Sequence, residues 1–132
     1  MSRDPTKLHA FNLADALVID IYRNTLHFPI EERFGLQAQL RRAAVSAAAN
    51  IVEGSARRTG REYLHFLNIA LGSACEARYL LSLAHRLGFL KKADAEHMGA
   101  RSSAVVKTLA GLMRALDRDS RSEHARSLKP EA

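Results

Sequence analysis

The chain predicts an all-α fold, a single antiparallel up-and-down four-helix bundle, and three observations carry the prediction. Apolar residues recur at steps of three and four through four stretches of about 18 to 28 residues, the period of a helix with one buried face. Short connectors between them hold the stop and start signals of helices, such as Phe28-Pro29 and Gly88. The composition leaves strands no obvious place: three prolines, seven glycines, no tryptophan and few β-branched runs in a chain rich in Ala, Leu and Arg. A chain of 132 residues is one domain with a real core, able to bury about two-thirds of its unfolded surface, and a second domain does not fit.

The first helix is expected from Asp4-Pro5, or with Thr6 as its cap, to about residue 27. Phe11, Ala14, Leu17, Val18, Ile21, Tyr22 and Thr25 form its buried face. Proline disfavours helical geometry in the residue before it, so Phe28-Pro29 ends the helix and the connector IEERFG follows. The second helix covers about 37–57, with Leu36, Leu40, Ala43, Ala47 and Ile51 inward, on the face opposite its polar residues. Gly54 lies in its last turns, where glycine costs ~1 kcal/mol relative to alanine, and close packing against another backbone is a sufficient reason for it. Thr59 and Glu62 are spaced as a capping box, so the third helix begins near Gly60 and runs to Leu87, with Gly88 suited to close it. Its first half is apolar nearly all round, apart from a thin seam of His65, Asn68, Ser73 and Glu76, which implies burial on more than one side. The fourth helix starts near Ala93 or Asp94 and reaches about Asp119, with Met98, Val105, Leu109, Leu112, Met113 and Leu116 inward. Residues 1–119 are thus the bundle, and 120–132, with little apolar periodicity, are expected to be a mobile polar tail.

The second helix carries a polar stripe. Gln39, Arg42, Ser46, Asn50, Glu53 and Arg57 recur at steps of three and four along about five turns. Between them stand small apolar residues that let a neighbouring backbone come close. Two readings of the stripe stand: a solvated face, or an ordered network in which Asn50 and Ser46 bond across helices and Glu53 pairs with an arginine. The apolar surface of the second and third helices exceeds what one bundle covers, and self-association is the simplest solution.

Twenty Lys and Arg against fourteen Asp and Glu give a formal charge of +6, which suits contact with nucleic acid or an anionic surface. Arg41, Arg57, Arg58, Arg61, Lys107, Arg114 and Arg118 are the candidate phosphate contacts, against the plainer reading of a solvated, partly ion-paired surface. An oligomer would multiply that charge. Cys75 is single, has no histidine at helical spacing beside it, and reads as a small buried thiol in a reducing compartment. The N-terminal stretch lacks an apolar signal region and no run approaches the ~20 apolar residues of a membrane span, so the expected location is the cytoplasm, without membrane contact. Glu62 and His65 match the Glu-x-x-His spacing of di-iron bundles, but the spacing occurs once and Glu62 is already placed as a cap residue. The histidines are otherwise scattered singly. No nucleophile elbow, phosphate-cradling loop or dinucleotide glycine pattern is present, and no enzyme activity, cofactor or metal is expected.

The string RAAVSAAANIVEGSAR, preceded by FPIEERFGL and followed by REYLHFLNIALGSACEA, resembles the four-helix-bundle family of proteins encoded by intervening sequences in 23S ribosomal RNA genes. The resemblance covers about 8–116, and a related accessory protein of diversity-generating retroelements looks like the same bundle. It implies a barrel-like homopentamer with a supposed role in binding nucleic acid. The family's motif falls here on Pro29, Gly35, Gln39, Arg42, Ser46, Asn50, Glu53, Gly54 and Arg57, then Glu62, Phe66, Ala70, Gly72, Ser73 and Glu76. It favours the network reading of Gln39, Arg42, Ser46, Asn50, Glu53, Arg57, Glu62, Ser73 and Glu76, with Asn50, Glu53 and Arg57 at least partly buried. Two departures are Ala48 where the family commonly has proline, and Phe11 where it often has tryptophan. The expected function is a non-enzymatic homopentamer that binds RNA or DNA backbone. The alternatives are an assembly module docking another protein and, further off, a metalloenzyme using His65.

Overall fold

In the computed structural model, which describes residues 8–128, four helices occur in the order α1 (His9–Asn24), α2 (Leu36–Ser55), α3 (Gly60–Arg86) and α4 (Lys92–Ser127). A single 3₁₀ turn, Ile30–Glu32, lies in the α1–α2 connector, and no strand occurs among the described residues. α2 packs on α3, α3 on α4, and α1 on both α2 and α4, which closes the bundle around one core. Leu17, Ile21, Leu40, Ile51, Leu67, Leu81, Met98 and Leu109 are fully enclosed there, with alanines filling the narrow places between axes.

Local chemistry sets most helix ends. The expected cap residues Asp4, Pro5 and Thr6 lie outside the described residues. α1 ends at Asn24, a turn earlier than expected, because Thr25 and Asn24 turn their side chains back onto the carbonyls of Ile21 and Asp20, each at 2.8 Å. α2 has a cap that its sequence did not announce: the Glu32 carboxylate accepts the Leu36 amide at 2.8 Å. Gly35 makes room for it, since a Cβ there would sit 2.8 Å from that carboxylate oxygen. α2 then runs unbroken through Ala48. At α3 the Glu62 amide donates to the Thr59 hydroxyl at 3.1 Å; the Glu62 carboxylate, expected on the Thr59 amide, instead accepts from the Thr59 hydroxyl at 3.0 Å. Gly88 closes α3 with φ +82°.

The expected tail is corrected. α4 does not stop at Asp119 but continues to Ser127; residues 129–132 lie outside the described residues. Leu116 is the last residue packed against the core, and everything from Asp117 to Leu128 is exposed. The segment is as polar as predicted, but no proline or glycine interrupts it, and Arg121 pairs with Asp117 at 3.2 Å across one turn. Two further expectations shift: Tyr22 is exposed rather than inward, and Cys75 is half-buried. Ser102 of α4 is buried and donates to the Ala74 carbonyl at 2.8 Å.

Candidate nucleic-acid interface

The polar stripe of α2 lies at the seam with α3, about 110° around the helix from the core residues rather than opposite them. Ser46 and Ser73 join hydroxyls at 2.8 Å across the seam, and the Asn50 amide donates to the Ser46 carbonyl at 2.8 Å and its hydroxyl at 3.1 Å. Among the described residues, Ser46, Asn50 and Ser73 are joined by hydrogen bonds at this seam. Gln39, Arg42, Glu62 and Glu76 are exposed, and Glu62 serves the α3 cap. The expectation of a partly buried Glu53 is corrected: its side chain is 53% exposed, although it does pair with Arg57 at 3.0 Å. Arg57 is half-buried, lies over the Phe66 ring at 5.3 Å, and sits beside Gly54, where a Cβ would meet Phe66 and Tyr63 at 3.0 Å. The stripe residues do share one line of the helix, but that line lies at the seam and not opposite the core, because the outward line is taken by Ala38, Val45, Ala49 and Val52.

The candidate phosphate contacts divide into two groups. Arg41 is turned inward to α1, with Nε donating to the Thr25 hydroxyl at 2.9 Å, one Nη donating to the Tyr22 carbonyl at 3.4 Å, and the guanidinium 4.6 Å from the Tyr22 ring centre. Gln37 completes the arrangement by donating to the Thr25 carbonyl at 2.7 Å. Arg41 thus closes the C-terminus of α1, where cations offset the helix dipole. Arg58 and Arg61 are exposed at the α2–α3 turn, and Lys107, Arg114 and Arg118 are exposed along one line of α4. Among the described residues none of these five has a carboxylate within ion-pair reach.

Two features escaped the sequence. Asp20 of α1 accepts from Arg101 of α4 and lies 3.5 Å from His97 Nε2, a clamp between residues too distant in the chain for any local pattern to reveal. An open groove of about 770 Å³ between α1, the connector and α2 is lined by Tyr22, Leu26, Ile30, Phe34 and Val45 with Arg33, Arg41 and Arg42. Exposed apolar side chains do occur on the second and third helices, as expected (Val45, Val52, Ile69 and Tyr79), but also on α1 (Ile19 and Tyr22) and on the α1–α2 connector (Leu26, Ile30 and Phe34), where none was foreseen.

The spacing Glu62-x-x-His65 does not assemble a ligand set: Glu62 is engaged by Thr59, His65 meets the Phe66 ring edge-on at 5.3 Å, and among the described residues no three His, Cys, Asp or Glu side chains converge. No helix of the described residues is long and apolar enough to cross a membrane.

These features define a class: an all-helical four-helix protein with a polar α2–α3 seam and a set of exposed basic side chains. Its residues 6–111 match the model of the 23S rRNA-intervening sequence proteins, and the chain belongs to that family. Among curated proteins none matches. A solved structure from Bacteroides thetaiotaomicron, described as a protein with unknown function from the S23 ribosomal protein family, shares the fold with a TM-score of 0.73 at 23% identity, over 80% of this chain and 95% of that one.

Proposed function

We propose that this protein is a non-enzymatic, cytoplasmic, self-associating helical bundle that holds nucleic-acid backbone on basic side chains. The observation that carries the reading is that Arg58, Arg61, Lys107, Arg114 and Arg118 are exposed with no carboxylate in ion-pair reach among the described residues. Charges not neutralised within the chain retain their attraction for phosphate, which is independent of base sequence and weakened by salt. Successive helices alternate in direction, up and down. Supporting pairs are Gly54 against Tyr63 and Ser46 with Ser73 between α2 and α3, and Ser102 with Ala74 between α3 and α4. That course brings the α2–α3 turn, with Arg58 and Arg61, to the end of the bundle where α4 carries Arg114 and Arg118. Arg41 and Arg57, both engaged inside the chain, are not among the expected contacts.

The copies assemble as a homopentamer, the state that the family resemblance implies, and each contributes a formal +6 to the field around the ring. Exposed apolar side chains on α1 and α2 support self-association. Fluorescence anisotropy with short RNA and DNA across a salt series tests the reading. Affinity should fall linearly on log–log axes, and the R58A/R61A double variant should reduce the slope by about 1.4 to 1.8. Absence of binding at low salt, or binding indifferent to salt, refutes it. A second reading, a module that docks another protein, is favoured by the apolar groove beside Phe34; it predicts a co-purifying protein and no response to the arginine substitutions.

A further inference from the structure

The groove on α1 and α2 and the outward line of α3 differ in composition and complement one another; within one chain they adjoin, where Arg42 and Glu76 line one small pocket. In the groove, Leu26, Ile30 and Phe34 are 68%, 77% and 88% exposed, and the lining includes three arginines and no carboxylate. Apolar side chains so exposed call for a cover. A twofold contact of this face with itself would set arginine against arginine, because such an interface places the same patch on both copies. The cover must therefore be a surface of different composition.

α3 offers one. Ile69, Gly72, Glu76 and Tyr79 follow the three-four-three spacing of one helix line and are all exposed, and Glu76 has no ion-pair partner among the described residues. Gly72 is a second, separate observation. It lies in mid-helix, where glycine costs stability, and nothing comes within 4 Å of a Cβ built there; Gly99 of α4 has the same open space, but only Gly72 stands on a line with exposed Ile69 and Tyr79. Close approach of another helix supplies a reason for Gly72, since the residues at a helix contact set how near the axes come.

We infer that the α1–α2 groove of one copy receives the Ile69–Tyr79 line of α3 from the next, with Arg33 and Arg42 facing Glu76. This rests on the self-association reading and names its contact. The heights agree: Arg42 and Glu76 line one small pocket within a chain, so they stand at the same level, and a rotation about an axis along the bundle brings Glu76 of one copy level with Arg42 of the next. A head-to-tail contact of this kind joins unlike patches and closes a ring where its rotation closes.

The test uses the full chain in sedimentation-equilibrium runs, with circular dichroism to verify folding. G72L, which adds bulk where the isolated chain has open space, should reduce the assembly to monomer with helix content unchanged. G72A should raise the melting temperature of dissociated chain by a few degrees while weakening association. E76R and the R33E/R42E double variant should each weaken association at least tenfold, and the triple variant R33E/R42E/E76R should recover it, because every contact then again joins opposite charges. If wild-type chain associates and G72L keeps its mass, or if the triple variant fails to recover, this contact is overturned while self-association stands. If wild-type chain remains monomeric at its highest attainable concentration, self-association and this contact are both overturned, and the groove is left to a different protein.

Discussion

Replacing Gly54 by alanine sets two effects of known sign against each other. Alanine in a helix interior is favoured over glycine by ~1 kcal/mol. The new methyl, however, would stand 3.0 Å from Phe66 Cβ and from Tyr63 Cδ1, and 3.4 Å from the Tyr63 carbonyl. Phe66 Cβ and the Tyr63 backbone are not flexible ends that swing aside, and Tyr63 is itself buried, so α2 and α3 must separate by a few tenths of an ångström along their seam. Overpacking of this kind costs about 1 to 3 kcal/mol. The expected net is a loss of about 1 kcal/mol, worth roughly 3 °C in melting temperature for a domain of this size. G99A is the control, because a Cβ at Gly99 meets nothing within 4 Å and only the propensity gain remains. Urea titrations under dissociating conditions should move the midpoint down for G54A and up for G99A. If G54A gains as much as G99A, the seam is looser than its geometry indicates and the steric account of Gly54 is wrong.

Arg41→Ala should cost about 1 to 2 kcal/mol in urea unfolding through loss of its bonds to Thr25 and Tyr22, while leaving the salt slope of nucleic-acid binding unchanged; an equal loss of slope would restore it as a phosphate contact. Ser73→Ala and Ser46→Ala should each cost about 1 kcal/mol, with the double variant costing less than the sum because the two share one bond. Strict additivity in that cycle would mean that the hydroxyls do not interact. Thr59→Ala removes the acceptor of the Glu62 amide and should lower stability by about 1 kcal/mol, which a thermal melt will detect.

Much of the fold was legible because its signals are local. The capping pair Thr59 and Glu62, the closing Gly88 and the stop at Phe28-Pro29 each act within a few residues, and all mark ends observed in the structure to within a turn. The close packing at Gly54 was also foreseen, since a glycine inside a helix asks for a neighbour. What could not be read were properties that depend on which way a helix is rolled. Ser46, Asn50 and Ser73 bond together while Gln39 and Glu76 of the same pattern stay exposed, and helical spacing does not tell a seam from an open flank. The inward turn of Arg41 had no signal for the same reason. Its sequence neighbour Arg42 has identical chemistry, and only the rotation of α2 against α1 decides that one closes a helix end while the other faces outward. The Asp20–Arg101 clamp had no local signal at all.

The roll of α2 also accounts for the division of labour around the molecule. Twenty residues carry three different faces: Leu40, Ala47 and Ile51 in the core, Ser46 and Asn50 at the α3 seam, and Ala38, Val45 and Val52 outward. A helix of a monomer would place charge on that third face, since it gains nothing from exposing valine. Here the one long cation on it, Arg42, stands between small apolar residues, whereas Lys107, Arg114 and Arg118 occupy the outward line of α4. If α2 meets a second copy and α4 meets phosphate, disrupting one surface should leave the other intact. A G72L monomer should therefore still bind short RNA, with the salt slope of a single copy in place of that of the assembly. Complete loss of binding in that monomer, with its helix content preserved, would show that no single chain holds a sufficient cluster and that the basic site exists only across copies.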